Sequence, residues 1–137
     1  MNEKEEIINL FVKNFILKER RERSLFELTH LQKRNLFAGR FNHGWAKLLD
    51  SRKLILVPPK CDQYNFVKDN LKITDKDFCY SISCYDDIDN EVMEFKQAFT
   101  KSWGRGFATI LILMAGNKIY LETEQVQGAP DRYIGKI

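Results

Sequence analysis

Residues Phe107 to Glu124, with the sequence FATILILMAGNKIYLETE, decide the fold of this chain. The part from Phe107 to Met114 is almost wholly apolar, which is typical of a central strand covered on both faces. Gly116-Asn117 fits a two-residue hairpin turn, so we expect the chain to return along Ile119 to Glu124. This stretch therefore predicts two neighbouring antiparallel strands in the middle of a sheet.

Further strands are predicted on both sides of this hairpin in the sequence. Residues 77–85 alternate between two sets of side chains, which indicates a half-buried strand. Leu54 to Val57 is typical of a short buried strand that stops at Pro58-Pro59, because proline supplies no backbone donor. Tyr133 and Ile134 fit a last short strand. The sequence therefore predicts a mainly antiparallel sheet of four to five strands.

Helices are predicted where apolar residues recur at steps of three and four. Residues 3 to about 22 show this pattern, and Ser24-Leu25-Phe26-Glu27 then fits a capping box that starts a new helical segment reaching Asp50. Gly39 and Gly44 weaken the interior of that segment. Asp62 is expected to cap a short helix.

A long amphipathic helix is predicted over about 88–103. Its apolar stripe is Val92, Phe95, Phe99 and Trp103, and Asp87 or Asp89 is expected to cap it. The acid-rich run Asp86–Glu91 is explained by this helix start, because it lacks the glycine and the final glutamate of an EF-hand calcium loop.

The order of these elements predicts an α+β fold, with the N-terminal helices and the long helix packed on the sheet. At 137 residues the chain fits one domain, 1–137, with a helical part of about 1–50 and a sheet-forming part of about 51–137.

The charge of the chain is concentrated in one segment. Between Lys18 and Lys60 there are eleven basic residues against four acidic ones, a local charge of +7, whereas the whole chain has a formal net charge of +3. A basic segment on a mildly acidic remainder indicates a surface that contacts an acidic protein, a polyanion or a membrane face.

A helical wheel separates this segment into an apolar and a basic side. Phe37, Phe41, Trp45 and Leu48 share one side, and Lys33, Arg40, His43 and Lys47 share another, where Leu36 also lies. The residues that we predict to bind a partner are the cationic or hydrogen-bonding side chains and two aromatic anchors: Arg34, Arg40, His43, Lys47, Arg52 and Arg105, with Phe41 and Trp45.

These features predict a small non-catalytic binding or regulatory protein, of inhibitor, immunity or adaptor type, that uses the basic face against an acidic protein partner. One alternative is a nucleic-acid-binding protein that uses the same face, although no helix-turn-helix or RNP pattern is present. A protein partner would also need an exposed apolar contact beside the charges.

A second alternative is a small hydrolase. The two-residue turn would place Glu122 opposite Leu111 and Glu124 opposite Thr109, so both carboxylates would share a sheet face and at least one pKa would be raised. His43 or His30 would then serve as the base. The competing interpretation is an edge strand whose acids pair with the basic segment.

The composition predicts neither a metal nor a cofactor. Cys61, Cys79 and Cys84 form no metal-ligand pattern and are expected to be reduced thiols. The N-terminus lacks signal-peptide features, and the longest apolar run is too short for a membrane helix. We therefore expect a soluble cytoplasmic protein that does not contact membranes.

Overall fold

The computed structural model describes residues 2–125, 128 and 130–137. Five α-helices and six strands follow one another along the chain. They are α1 (Glu3–Phe15), α2 (Arg21–Thr29), α3 (Arg34–Gly44), β1 (Leu54–Leu56), α4 (Gln63–Leu71), β2 (Phe78–Ser83), β3 (Val92–Glu94), α5 (Phe95–Ser102), β4 (Thr109–Leu113), β5 (Lys118–Glu122) and β6 (Arg132–Lys136). The α+β class is confirmed.

The strands form a single sheet in the order β1-β6-β5-β4-β2-β3, and every neighbouring pair is antiparallel. Helices α1 to α3 pack on one face of this sheet, where Phe11 and Phe37 belong to one buried apolar cluster with Ile110 and other sheet residues. Helices α4 and α5 cover the other face, where Phe95 of α5 belongs to the same apolar cluster as Tyr120 of β5. The core therefore has two apolar layers, one on each side of the sheet.

The prediction of four to five strands is wrong by one strand. The additional strand is β3, which lies inside the region predicted as a long helix over 88–103, and α5 begins at Phe95. Asn90 adopts a left-handed φ of 63° in the preceding turn, which reverses the chain so that Met93 pairs with Cys79. The spacing of Val92 and Phe95 fits a helix, but a strand is formed because β2 offers an open edge.

Two strand environments also differ from the predictions. Strand β2 is buried on both faces from Cys79 to Ser83 rather than half-buried, because α4 and α5 cover the side that carries its serines. Strand β1 lies at the sheet edge, where Ile55 and Leu56 are exposed, so it is not a buried strand. The prediction for the central strand β4 is confirmed, since all five of its residues are buried.

The hairpin between β4 and β5 has a four-residue loop instead of the predicted two-residue turn. Thr109 pairs with Glu122 and Leu111 pairs with Tyr120, so the register differs by two residues from the predicted one. Gly116 in this loop has a φ of 77°, and a Cβ there would lie 2.6 Å from the Leu10 Cβ. This position therefore requires glycine on both conformational and steric grounds.

The N-terminal helices are shorter than predicted. Helix α1 ends at Phe15 because Ile16 turns into an extended conformation and forms an antiparallel bridge with Leu49. Ser24 does not begin a helix: α2 starts at Arg21, and the Ser24 side chain is buried within it. Asp62 caps α4 as predicted, since its carboxylate accepts a hydrogen bond from the Asn65 N–H at 3.2 Å. None of the helices in the described residues has the length and apolarity needed to cross a membrane.

Candidate functional site

The basic segment forms a pocket at the C-terminal end of α3. The cavity has a volume of about 270 Å³, and Arg40, His43, Lys47 and Arg20 lie around it with Leu48 and Gly44. Three of the eight predicted binding residues, Arg40, His43 and Lys47, are therefore brought together. We call this cavity the basic pocket.

Local backbone geometry explains how the basic pocket is built. Arg40 and His43 are three residues apart on α3, so they project from one side of the helix. The helix ends at Gly44, and a 3-10 turn over Trp45–Lys47 carries Lys47 to the same opening. The opposite wall is fixed by a hydrogen bond of 2.9 Å from the Leu17 N–H to the Leu48 carbonyl.

The charges in the basic pocket are partly compensated by the protein itself. Arg40 forms a bidentate ion pair with Glu27. The Glu27 residue is 2% exposed, and its carboxylate also lies 3.3 Å from Arg23 Nε. His43 Nδ1 lies 3.4 Å from Glu124 Oε2.

Two other cations of the pocket are uncompensated. Arg20 and Lys47 make no ion pair with any residue that the structure describes. Both side chains are exposed, so the pocket has a surplus of positive charge at its mouth. A concave site of this kind concentrates field lines and attracts anionic groups.

Arg34 and Phe41 are buried inside the protein and do not line the basic pocket. Arg34 is 5% exposed and makes a bidentate contact with Asp89 at 2.8 and 3.1 Å, while it also donates to the Tyr80 hydroxyl. Burial lowers the pKa of Arg34 and is the largest single effect, but the hydrogen bonds and charges of Asp89 and Tyr80 together raise the pKa above its ordinary value. Phe41 is 1% exposed in the core.

The other predicted binding residues lie away from the basic pocket. Trp45 packs on Tyr133, with 4.7 Å between ring centroids. Arg52 pairs with Asp50 at 2.9 Å, and its hydrogen bond lowers the pKa of the Asp50 carboxyl to about 2. Arg105 lies over the Tyr85 ring at 4.9 Å, beyond α5.

The structure also shows two pocket residues that the sequence did not single out. Arg20 belongs to the basic run before α2, and Leu48 belongs to the apolar stripe. The sequence therefore marked one as basic and the other as apolar, but did not indicate that they share a site. Arg20 and Leu48 come together through the hydrogen bond between Leu17 and Leu48. This bond joins positions 31 residues apart in the chain, so local periodicity could not predict it.

The two carboxylates of the hydrolase alternative lie on opposite sides of the sheet. Glu122 is fully buried with Tyr120 on the α5 side, where it lies 3.4 Å from Arg132. Burial raises the pKa of the Glu122 carboxyl. Glu124 contacts His43 on the α3 side, because the strand ends at Glu122 and its alternation stops there. The expectation that both acids share one face is therefore wrong.

The two histidines of the hydrolase alternative lie in different surroundings, since only His43 contacts one of the two carboxylates in the part of the chain that the structure describes. His30 packs on the Phe26 ring at 4.3 Å, and its Nδ1 faces the Phe26 carbonyl. Among the described residues, no three His, Cys, Asp or Glu side chains are grouped as metal ligands. Glu122 and Glu124 therefore do not form the shared carboxylate site that the hydrolase alternative requires.

Comparisons with protein-family models, with curated proteins and with solved structures found no match to this chain.

Proposed function

We propose that this protein is a non-catalytic binding protein, of inhibitor, immunity or adaptor type, that holds an acidic protein partner at the basic pocket. The observation that carries this proposal is that Arg20, Arg40, His43 and Lys47 lie around one cavity, while Arg20 and Lys47 pair with no carboxylate among the described residues. A cavity of about 270 Å³ is large enough to receive a carboxylate side chain.

An exposed apolar residue beside the charges supports a protein partner. Leu36 is 45% exposed and lies one turn before Arg40 on the same side of α3. Leu31, in the turn before α3, is 75% exposed. Protein interfaces combine an apolar centre with a charged rim, so an acidic segment with a neighbouring apolar side chain fits this surface.

The distribution of the remaining cations argues against nucleic acid as the first choice. Arg34, Arg40 and Arg52 each pair with a carboxylate of this chain. The basic segment is therefore interrupted by paired acids. Its other cations make no ion pair with a described residue: Lys18, Arg20, Arg21, Lys33, Lys47, Lys53 and Lys60. An oligonucleotide is therefore the alternative ligand, and we expect it to bind less tightly than an acidic peptide and to lose affinity as salt rises.

Fluorescence anisotropy with two labelled probes tests the proposal. One probe is a peptide that alternates glutamate with leucine, and the other is a mixed-sequence oligonucleotide, each titrated at low and moderate salt. We expect the peptide to bind more tightly, and Arg20→Glu/Lys47→Glu to weaken that binding by about tenfold or more.

The matched control is Lys76→Glu/Lys101→Glu, which makes the same change in net charge. Both lysines are exposed and neither lines the basic pocket. Equal loss of affinity in the two double variants would show a general charge effect and overturn the proposed site. Tighter, steeply salt-dependent binding of the oligonucleotide would overturn the choice of partner.

A further inference from the structure

A second concave region lies on the opposite layer of the molecule, around Trp103. Two cavities of about 480 and 420 Å³ share Trp103, Pro59 and Gln63 in their walls. The larger cavity extends to Leu56 and Pro130, and the smaller one extends to Tyr64. Because the two cavities share these walls, we treat them as one groove and call it the Trp103 groove.

The Trp103 ring is held in place although it is 43% exposed. The guanidinium carbon of Arg132 lies 3.6 Å from the centroid of the ring, and the Phe99 ring lies 5.2 Å away. Arg132 in turn pairs with the buried Glu122, which also accepts a hydrogen bond from the Gly104 N–H at 3.4 Å.

Burying the Arg132–Glu122 ion pair beneath the exposed Trp103 ring costs folding free energy. Arg132 is 3% exposed and Glu122 is fully buried, and desolvating two charges costs free energy that a buried pair recovers only in part. The other two hydrogen bonds that Glu122 accepts are long: the Tyr120 hydroxyl lies at 3.3 Å and the Gly104 N–H at 3.4 Å from its carboxylate oxygens. A buried ion pair that fixes an exposed aromatic ring indicates a preorganised binding surface.

The chemistry of the groove is apolar and aromatic with donors and negative charge at the rim. Gln63 and Gln125 bring side-chain amides to the larger cavity, and Trp103 brings an indole N–H. Asp62 and Asp131 are exposed acids at its two ends. Among the described residues that line the two cavities, Arg132 is the one cation, and it pairs with Glu122.

We propose that the Trp103 groove binds a proline-rich segment of a partner protein in the polyproline II conformation, with a basic residue beside the prolines. Such a helix has no internal hydrogen bonds, so its carbonyls accept from donors such as the Trp103 indole. The Gln63 amide already donates to the Pro58 carbonyl at 3.4 Å and accepts from Arg132. The proline rings of such a helix pack into grooves lined by aromatic side chains, here Trp103, Tyr64 and Phe99. Its conformation is already restricted, which reduces the entropy lost on binding.

Charge complementarity selects the residues that flank the prolines. The acids Asp62 and Asp131 favour arginine or lysine there, whereas the basic pocket on the other layer selects acids. The two surfaces therefore predict different partners or different segments of one partner, and each can fail without the other.

Two-dimensional nitrogen–proton NMR of the labelled protein tests this inference, since the indole N–H signal of Trp103 reports directly on the groove. The probe is a peptide of repeated Pro-Pro-Leu-Pro flanked by arginines. Two further peptides serve as controls, one with alanine in place of each proline and one with glutamate in place of each arginine. We expect saturable shifts of Trp103 and Gln63 with the first peptide, and at least about tenfold weaker binding of both controls.

Trp103→Ala should reduce the affinity for the first peptide by about tenfold or more, because a central aromatic side chain dominates such interfaces. Phe107→Ala is the matched variant: Phe107 is also an exposed ring, at 48%, and lines neither cavity. Equal binding of the alanine or glutamate peptide, absence of saturable shifts in the folded protein, or equal loss in both variants would overturn the proposal.

Discussion

Replacing Arg132 with methionine removes the cation that pairs with the buried carboxylate of Glu122. The carboxyl group then has to be protonated in the folded state, because an unpaired charge at this depth is too costly. Its ordinary pKa is 4.5, and holding it protonated at pH 7 costs about 1.4 kcal/mol for each pH unit above that value, or about 3 kcal/mol. At pH 5 the same cost falls below about 1 kcal/mol.

The sign of the effect follows from proton binding. Folded Arg132→Met carries one proton more than its unfolded chain above pH 4.5, so its stability falls as the pH rises. Denaturant unfolding at several pH values between about 5 and 8 should therefore show a destabilisation, relative to the native chain, that grows with pH. The double variant Arg132→Met/Glu122→Gln should lose this pH dependence. A destabilisation of the single variant that is constant across the pH range would refute the reasoning.

Three further predictions concern contacts elsewhere in the fold. Arg34→Met should lower the free energy of unfolding by about 2–3 kcal/mol in urea titrations, because it removes the cation from Asp89, which is partly exposed and keeps the Ser83 N–H as a donor. An effect within about 0.5 kcal/mol would contradict a stabilising role of the pair. Gly116→Ala should lower the thermal midpoint of unfolding, because alanine is strained at this positive φ and its Cβ would clash with Leu10. The double variant Gly116→Ala/Leu10→Ala should recover part of the loss. An unchanged midpoint in the single variant would contradict the close approach of Gly116 to Leu10. Asp50 has a pKa lowered to about 2, so its contribution to stability is present above its ordinary pKa of 3.8 and is lost as the pH falls towards 2. Asp50→Asn should therefore unfold with less acid dependence than the native chain, and identical acid titrations would contradict the pairing with Arg52.

The elements of the fold that depend on local patterns could be predicted from the sequence. The apolar run of β4 identified a strand buried on both faces, and Asp62 identified the start of α4. Strand β3 could not be predicted in the same way, because Val92 and Phe95 fit a helical spacing equally well. The choice between helix and strand was made by the free edge of β2, which is a tertiary feature.

The candidate site was predictable only where it follows helix geometry. The spacing of Arg40, His43 and Lys47 placed these three residues together. The burial of Arg34 depends on Asp89, which is 55 residues further along the chain, and the separation of Glu122 from Glu124 depends on where β5 ends. Long-range ion pairs produce no periodic pattern in the sequence. They determine which side chains are available at the site, but the sequence alone does not predict them.

The most direct test of the central claim maps where an acidic partner binds. Chemical shifts of the isotope-labelled protein, followed during titration with the glutamate–leucine peptide, should change first at Arg20, His43, Gly44, Lys47 and Leu36. The shifts should saturate, and they should vanish in Arg20→Glu/Lys47→Glu while persisting in Lys76→Glu/Lys101→Glu. Shifts that are absent, spread evenly over the surface or centred on another face would contradict the assignment of the basic pocket as the partner-binding site.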